Sequence, residues 1–210
     1  EKAWIYEKYA NMWRITDDLW DKWEDILNMF NRCEIWQEHV GTGCYPDCDM
    51  IPFGHLGKGF GHEWTCNLTY DEQRTLMSLW CIFRSPLMLG CELTLLDDKT
   101  KELITNEDIL HLTGHSNGAR QIKRDSDEVI WASRDEKAGI YYIALFNLSD
   151  CERKIEILDE KVYEIIDIIN GSTGGINNPI SEIMELWDHR SCDKAGGNIN
   201  AHGACLYRIK

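Results

Sequence analysis

Arg14, Asp17, Asp18, Asp47 and Asp49 are the side chains of this sequence whose types and spacing suit acid–base chemistry. Two carboxylates facing each other across a cleft meet the needs of glycoside hydrolysis. One protonates the leaving oxygen while the other attacks the sugar carbon or activates water. An arginine beside them holds a hydroxyl and tunes a carboxylate's charge. A plainer reading stays open beside this one. Asp17 or Asp18 is also a favoured residue for capping a helix N-terminus, and Asp47 and Asp49 suit a turn around Pro46.

The elements needed to bring these groups together are legible in the hydrophobic pattern. A strand over about 9–15 ends in Arg14, and an amphipathic helix over about 18–32 follows. Leu19, Trp20, Trp23, Ile26, Leu27 and Phe30 form its apolar stripe, opposite Asp21, Lys22, Glu24 and Asp25. A second strand-like segment runs into Cys44–Ile51, and a Gly-rich loop over 54–68 carries His62 and Trp64. A Trp in that loop overhangs the mouth, able to stack on a sugar or simply to cover the rim. Thr69 and Glu72 make a capping box for the next helix, whose stripe is Leu76, Leu79, Trp80 and Phe83 and whose stop is Pro86. Trp20, Trp23 and Trp80 are expected in the core. A short buried strand, 87–90, and a helix over about 98–105 complete this part. Alternating strands and helices imply a parallel sheet, and catalytic groups of barrels stand at the carboxyl ends of such strands.

Beyond about residue 116 the pattern changes to strands separated by turns: 128–133, 139–147, 153–158, 162–169, 183–187 and 204–210. Gly- and Asn-rich turns at 170–175 and 196–200 separate several of them, as in an antiparallel sandwich. The expected division is therefore 1–115 and 116–210, α/β followed by all-β. Three βα units cannot close a barrel, which needs eight. Alone they leave apolar faces and a strand edge uncovered. A missing barrel half, supplied in cis or in trans, is the expectation. The opening Glu1–Tyr9 has helical spacing but neither Met nor N-cap, as in a chain entered within a helix, so any targeting segment would lie upstream.

Composition narrows the class. The 210 residues carry a net charge of −14, which disfavours nucleic acid and anionic membrane surfaces and suits a neutral substrate. No apolar run approaches the roughly 20 residues of a membrane span. Nine cysteines, odd in number and irregular in spacing, read as reduced and mostly buried thiols, favouring a cytoplasmic compartment. Cys44 and Cys48, near His55, His62 and Cys66, lack the second paired motif of a zinc site, so no metal is expected. Asn67, Asn147 and Asn170 open glycosylation sequons that carry meaning only in a secreted eukaryotic protein.

These residues are also similar to a known family. Trp13-Arg14-x-x-x-Asp18, then Tyr45-Pro46-Asp47-x-Asp49-Met50, then Leu79-Trp80-x-x-Phe83-Arg84-Ser85-Pro86-Leu87-Met88 resemble the α-galactosidase family of glycoside hydrolases, family 27. The likeness continues through Gly118-Ala119-Arg120-Gln121, Leu186-Trp187 and the closing Ala201–Arg208, covering nearly the whole chain in order. It implies the last three units of a (β/α)8 barrel followed by an antiparallel β-sandwich. It implies a retaining exo-α-galactosidase-like enzyme that releases terminal α-linked galactose by double displacement. Related specificities are α-N-acetylgalactosaminidase and β-L-arabinopyranosidase, and a non-catalytic carbohydrate-binding fragment is the rival of another class.

By the same resemblance Asp18 is the general acid/base. Arg14 contacts the sugar near its 2-hydroxyl, Asp49 and Met50 line the pocket, Asp47 supports them, and Trp13 forms wall. Cys48 stands where the family has proline. The family's nucleophile is an aspartate on an earlier strand with no counterpart here, so the 210-residue chain alone is expected to be inactive. No cofactor is implied.

Overall fold

The computed structural model describes residues 2–171 and 179–210. Helix α1 (Ala3–Tyr9) leads into strand β1 (Met12–Arg14), followed by helix α2 (Trp23–Trp36), strand β2 (Tyr45–Asp47) and, after a hairpin of β3 (His55–Leu56) and β4 (Trp64–Thr65), helix α3 (Tyr70–Phe83). β1 and β2 pair in parallel with Arg14 opposite Asp47, so both side chains arrive at the same end of the sheet. The next strand, expected over 87–90, is reduced to a single parallel bridge between Ile51 and Leu89. Helices α4 (Asp98–Thr105) and α5 (Glu107–His115) follow; α5 was not foreseen.

The capping box at α3 forms as expected, with the Glu72 amide donating to Thr69 Oγ1 and the Thr69 amide to the Glu72 carboxylate. Helix α2 differs from expectation. It begins at Trp23, not near Asp18, with Lys22 as its cap and no side-chain cap bond. Residues 15–22 instead form a loop held by tertiary hydrogen bonds. The Ile15 carbonyl accepts from Arg32, and the Trp20 amide donates back to Asp25, in the first turn of α2. Trp20 consequently leaves the core and is 44% exposed, whereas Trp80 is fully buried.

The second half is built on a six-stranded antiparallel sheet, ordered β10-β9-β12-β7-β6-β5. Its strands are β5 (Asn117–Arg124), β6 (Glu128–Asp135), β7 (Ile140–Asn147), β9 (Ile183–Glu185), β10 (Arg190–Cys192) and β12 (Ala204–Ile209). A two-stranded pair, β8 (Arg153–Ile157) with β11 (Ala195–Ile199), lies beside it. The segment 162–169, expected as a strand, is the core of helix α6 (Asp159–Asn170). Val162, Ile165, Ile166 and Ile169 are its buried residues, at the i, i+3, i+4, i+7 spacing of one helix face, and tertiary burial overrides their β-branched preference. The expected turn at 196–200 is mostly strand β11. Gly196, at φ 114°, makes it possible: a Cβ there would fall 2.3 Å from the Ile155 carbonyl oxygen. The expected turn at 170–175 falls mainly outside the described residues.

Alternation along the long strands sends neighbouring side chains to two different cores. Val129, Trp131, Tyr142, Ala144, Phe146 and Leu206 join Phe30, Trp80 and Phe83 from α2 and α3. Ile130, Ala132, Ile143 and Leu145 pack instead with α6, β8 and β11. Edge-to-face contacts of Phe30 with Phe146 (4.9 Å between centroids) and of Phe83 with Trp131 (6.1 Å) lock the helices to the sheet. Such pairs each add about 0.5–1.5 kcal/mol beyond their burial. The apolar core is thus continuous from the βα segment into the sheet. Among the described residues, no helix is long and apolar enough to cross a membrane.

Candidate active site

The carboxyl ends of β1 and β2 open on a cleft of about 330 Å³. Arg14 lines it. Its Nη1 lies 2.5 Å from Asp49 Oδ2 and 3.8 Å from Asp18 Oδ1, while its Nε lies 3.8 Å from Asp47 Oδ2. Three of the four aspartates singled out as candidates beside Arg14 therefore share one guanidinium. Asp17 is the exception: its backbone carbonyl accepts from Arg14, but its side chain is fully exposed and 4.0 Å from Arg32.

The three carboxylates that meet Arg14 sit in unlike surroundings. Asp18 is largely exposed, its side chain 83% accessible, and Arg14 is its ionic partner. Because α2 starts at Trp23, Asp18 caps no helix. Asp49 is buried and saturated: beyond Arg14, its Oδ2 accepts the Leu19 amide at 2.7 Å and its Oδ1 the Met50 amide at 2.7 Å. Asp47 lies behind it, with its Oδ1 accepting the Asp49 amide at 2.9 Å. Burial pushes the Asp47 carboxyl above its ordinary range, the Asp49 amide and Arg14 pull against that rise, and the charge of Asp49 adds to it. The turn reading of Asp47 and Asp49 is thus true as well, since one carboxylate closes the turn that aims the other. Asp49 has φ 81°, a left-handed conformation that Asp tolerates better than most residues.

Helix α3 and the segment after it support this turn from below. Trp80 Nε1 donates to the Asp49 carbonyl at 3.1 Å, and the Cys48 amide donates to Ser85 Oγ at 2.9 Å. The Ile51 amide then donates to the Met88 carbonyl and the Gly90 amide to the Ile51 carbonyl, passing the chain into the next strand position. Cys48, in the place of the family's proline, is fully buried with its Sγ 3.6 Å from Cys33 Sγ on α2, and burial drives the Cys33 thiol well up.

Arg14, Asp18, Asp49 and Met50 line the cleft, and Met50 is half exposed. Trp13 does not join them. Successive residues of a strand point to opposite faces, so Trp13 turns away from Arg14 and packs between Tyr6 and Trp36 at 5.7 and 5.8 Å. It is wall at the back of the strand. Sequence reasoning missed Asp21 and Phe60 and placed Trp20 in the core. Asp21, expected on a solvated helix face, is buried, with its Oδ2 accepting from Trp64 Nε1 and from both the backbone and side-chain amides of Asn67. Trp20, Phe60 and Trp64 line the same cleft. Trp20's place two residues after Asp18 was the available signal. Among the described residues, no group of three or more His, Cys, Asp and Glu side chains is placed to hold a metal ion.

Comparison with known proteins meets the same segments. The sequence model of the family described as alpha galactosidase A matches residues 4–114. An α-galactosidase of Cyamopsis tetragonoloba is 26% identical over 91% of this chain and 42% of its own length. The crystal structure of a family 27 β-L-arabinopyranosidase from Geobacillus stearothermophilus superposes with TM-score 0.87 at 36% identity, over 99% of this chain and 46% of that one. The α-galactosidase I structure from Mortierella vinacea, 19% identical, shares the fold at TM-score 0.78 over 97% of this chain and 54% of its own. The chain spans less than half the length of the first two of these relatives. A family match over more than half of the sequence, ending at the junction with the antiparallel sheet, makes this chain a glycosidase-like member of the α-galactosidase family, glycoside hydrolase family 27.

Proposed function

We propose that this chain is the carboxyl-terminal part of a retaining exo-glycosidase that removes a terminal α-linked galactose, with Asp18 as general acid/base. Residues 1–115 are read as the last three units of a (β/α)8 barrel and 116–210 as its β-sandwich domain. The observation that carries the proposal is the sharing of Arg14 between an exposed carboxylate, Asp18, and a buried, saturated one, Asp49, at the mouth of one cleft. Asp49 has its oxygens committed to three donors and is poorly suited to attack a sugar carbon. The nucleophile is accordingly assigned to a residue outside this chain, on the barrel half that completes the site in cis or in trans.

In the first step a carboxylate oxygen of that nucleophile bonds to the anomeric carbon as the bond to the leaving oxygen breaks. Asp18 gives its proton to that oxygen. In the second step water attacks the same carbon, Asp18 takes the water's proton, and the carboxylate leaves, so that configuration is retained overall. Arg14 holds the sugar near its 2-hydroxyl, Asp49 and Met50 shape the pocket, and Asp47 and the buried Trp13 hold the strand ends in place.

A second reading is favoured by the 36% identity to the β-L-arabinopyranosidase. A β-L-arabinopyranoside is an α-D-galactopyranoside with hydrogen in place of the C5 hydroxymethyl group. The same acid/base and arginine serve both, and discrimination falls to whatever meets C6. The test uses the intact enzyme carrying this chain, with nitrophenyl α-D-galactoside and β-L-arabinopyranoside compared by kcat/KM and the product anomer followed by NMR. Retention, loss of turnover in Asp18→Asn, and no turnover by residues 1–210 alone are expected. An inverted product overturns the mechanism, and Asp18-dependent turnover by the isolated chain overturns the missing nucleophile.

A further inference from the structure

We propose that Trp20, Phe60 and Trp64 form a subsite for the leaving group, a platform on which the pyranose ring next to the scissile bond stacks. The inference rests on the reading of Asp18 as the acid and adds what lies on its far side. The cleft has two chemically different ends. Arg14 and Asp49 are its polar lining, and Trp20, Phe60 and Trp64 its aromatic lining, which we take as the other end. Asp18 joins them, since it touches Arg14 and stands two residues before Trp20, within ~7 Å along an extended chain. An acid that protonates the glycosidic oxygen has the glycone on one side and the leaving group on the other. With the glycone at Arg14, the leaving group falls on the aromatic end.

This end is built, not incidental. Trp64 Nε1 donates at 3.0 Å to Asp21, which is buried and also accepts two bonds from Asn67, so the β3–β4 hairpin is anchored to the loop that carries Asp18. The Trp64 ring lies directly on Gly57, where φ is 82° and a Cβ would fall 2.3 Å from the ring. His62 stacks on Trp64 at 5.7 Å, and Trp20 meets it at 6.5 Å. Against this fixed ring, Trp20 is 44% and Phe60 81% exposed. Large aromatics that line a cleft offer a favourable surface for the apolar face of a sugar. The carboxylate at this end, Asp21, already holds three donors on one oxygen. A neutral ring therefore fits better than a charged ligand, in keeping with the chain's net charge of −14.

The test compares two substrates in the intact enzyme: a disaccharide whose leaving group is glucopyranose, and the methyl glycoside of the same glycone. Both leaving groups are alkyl alcohols, so the ratio of their kcat/KM isolates the ring contact. Trp20→Ala and Phe60→Ala are expected to lower the disaccharide-to-methyl ratio by about five- to tenfold each, as loss of a stacking contact implies. A thermal melt matching wild type establishes that each variant folds. An unchanged ratio in both variants, with both substrates still cleaved, overturns the subsite and leaves the role of Asp18 intact. Failure of wild type to cleave either glycoside overturns the hydrolase reading, and the subsite falls with it.

Discussion

Replacing Asp49 by Asn is the sharpest probe of how the loop bearing Asp18 is held. Asn keeps the size of the side chain and tolerates the left-handed φ of 81°, so backbone strain does not confuse the result. It cannot keep the bonding. Asp49 receives Arg14 Nη1, the Leu19 amide and the Met50 amide on two oxygens. An amide has one acceptor oxygen and one donor group, so either orientation sets a donor against a donor. The least costly rearrangement keeps the oxygen on Leu19 and leaves the Met50 amide to water, giving up one hydrogen bond and the charge opposite Arg14. A hydrogen bond to a charged group contributes about 1.5–3 kcal/mol, and the 38% exposure of Arg14 moves the expectation to the lower half of that range. A loss of about 2 kcal/mol is roughly thirtyfold in the unfolding constant. It shifts a urea midpoint by about 1 M for an m-value near 2 kcal/mol/M. Asp18→Asn is the matched control. Its one ionic contact is 3.8 Å long and its side chain 83% exposed, so the expected cost is below about 0.5 kcal/mol. Urea unfolding of both variants, with hydrogen exchange at the Met50 amide, reads the difference. Equal midpoints for the two variants and an unchanged Met50 protection would refute the claim that the Asp49 carboxylate fastens this site.

Three further outcomes follow from other parts of the molecule. Thr69→Ala removes the acceptor of the Glu72 amide from the α3 capping box and is expected to destabilise the chain by about 1 kcal/mol in a thermal or urea melt. In a thiol titration near pH 8 the exposed Cys151 should react first, while Cys33, Cys48 and Cys81 react only on unfolding. Burial drives Cys33 well up and pushes Cys81 up to about 12, so access and thiolate fraction both protect them. Burial also raises the Glu185 carboxyl above its ordinary value. The folded state then holds this proton to higher pH than the unfolded chain, so the contribution of Glu185 falls as pH rises from the unfolded value through the raised folded one. Glu185→Gln lacks this dependence. The stability advantage of wild type over the variant should therefore narrow in parallel melts as pH rises above the ordinary glutamate value, and an advantage that widens contradicts the burial argument.

What the sequence reveals is largely what short-range chemistry determines. The capping box of α3 is a contact over three residues and formed where Thr69 and Glu72 put it. The parallel pairing that sets Arg14 beside Asp47 follows from two apolar strands with polar ends. The misreadings share one cause, a local pattern overruled by distant partners. Trp20 lies at helical spacing from Trp23, but its amide is taken by Asp25 and its neighbour's by Asp49, so the chain stays in a loop. Strand β5 is polar along much of its length and is steadied by groups far away in sequence: Arg120 pairs with Glu38, and Gln37 accepts the Gln121 amide. No window around residue 120 contains those partners. Glycines at 196 and 197 read as a turn, yet the first is there because the Ile155 carbonyl approaches too closely for a side chain.

The same distant bonds account for the contrast that runs through the cleft. Asp18 has the most freedom of the acids on Arg14, while the residues on either side of it have little. The Ile15 carbonyl is held by Arg32, the Leu19 amide by Asp49, the Trp20 amide by Asp25, and Asp21 by Asn67 and Trp64. A group that must give up a proton and later take one back needs access to solvent or substrate at its tip and a fixed position at its base. Burying Asp18 itself would fix it at the cost of desolvating its charge. Hydrogen bonds to its neighbours, among them those accepted by the buried Asp49 and Asp21, fix the loop instead and leave the carboxylate free. The proposed division of labour between Asp18 and Asp49 follows: equal charge, one guanidinium, and opposite surroundings that suit one to proton transfer and the other to holding it in place.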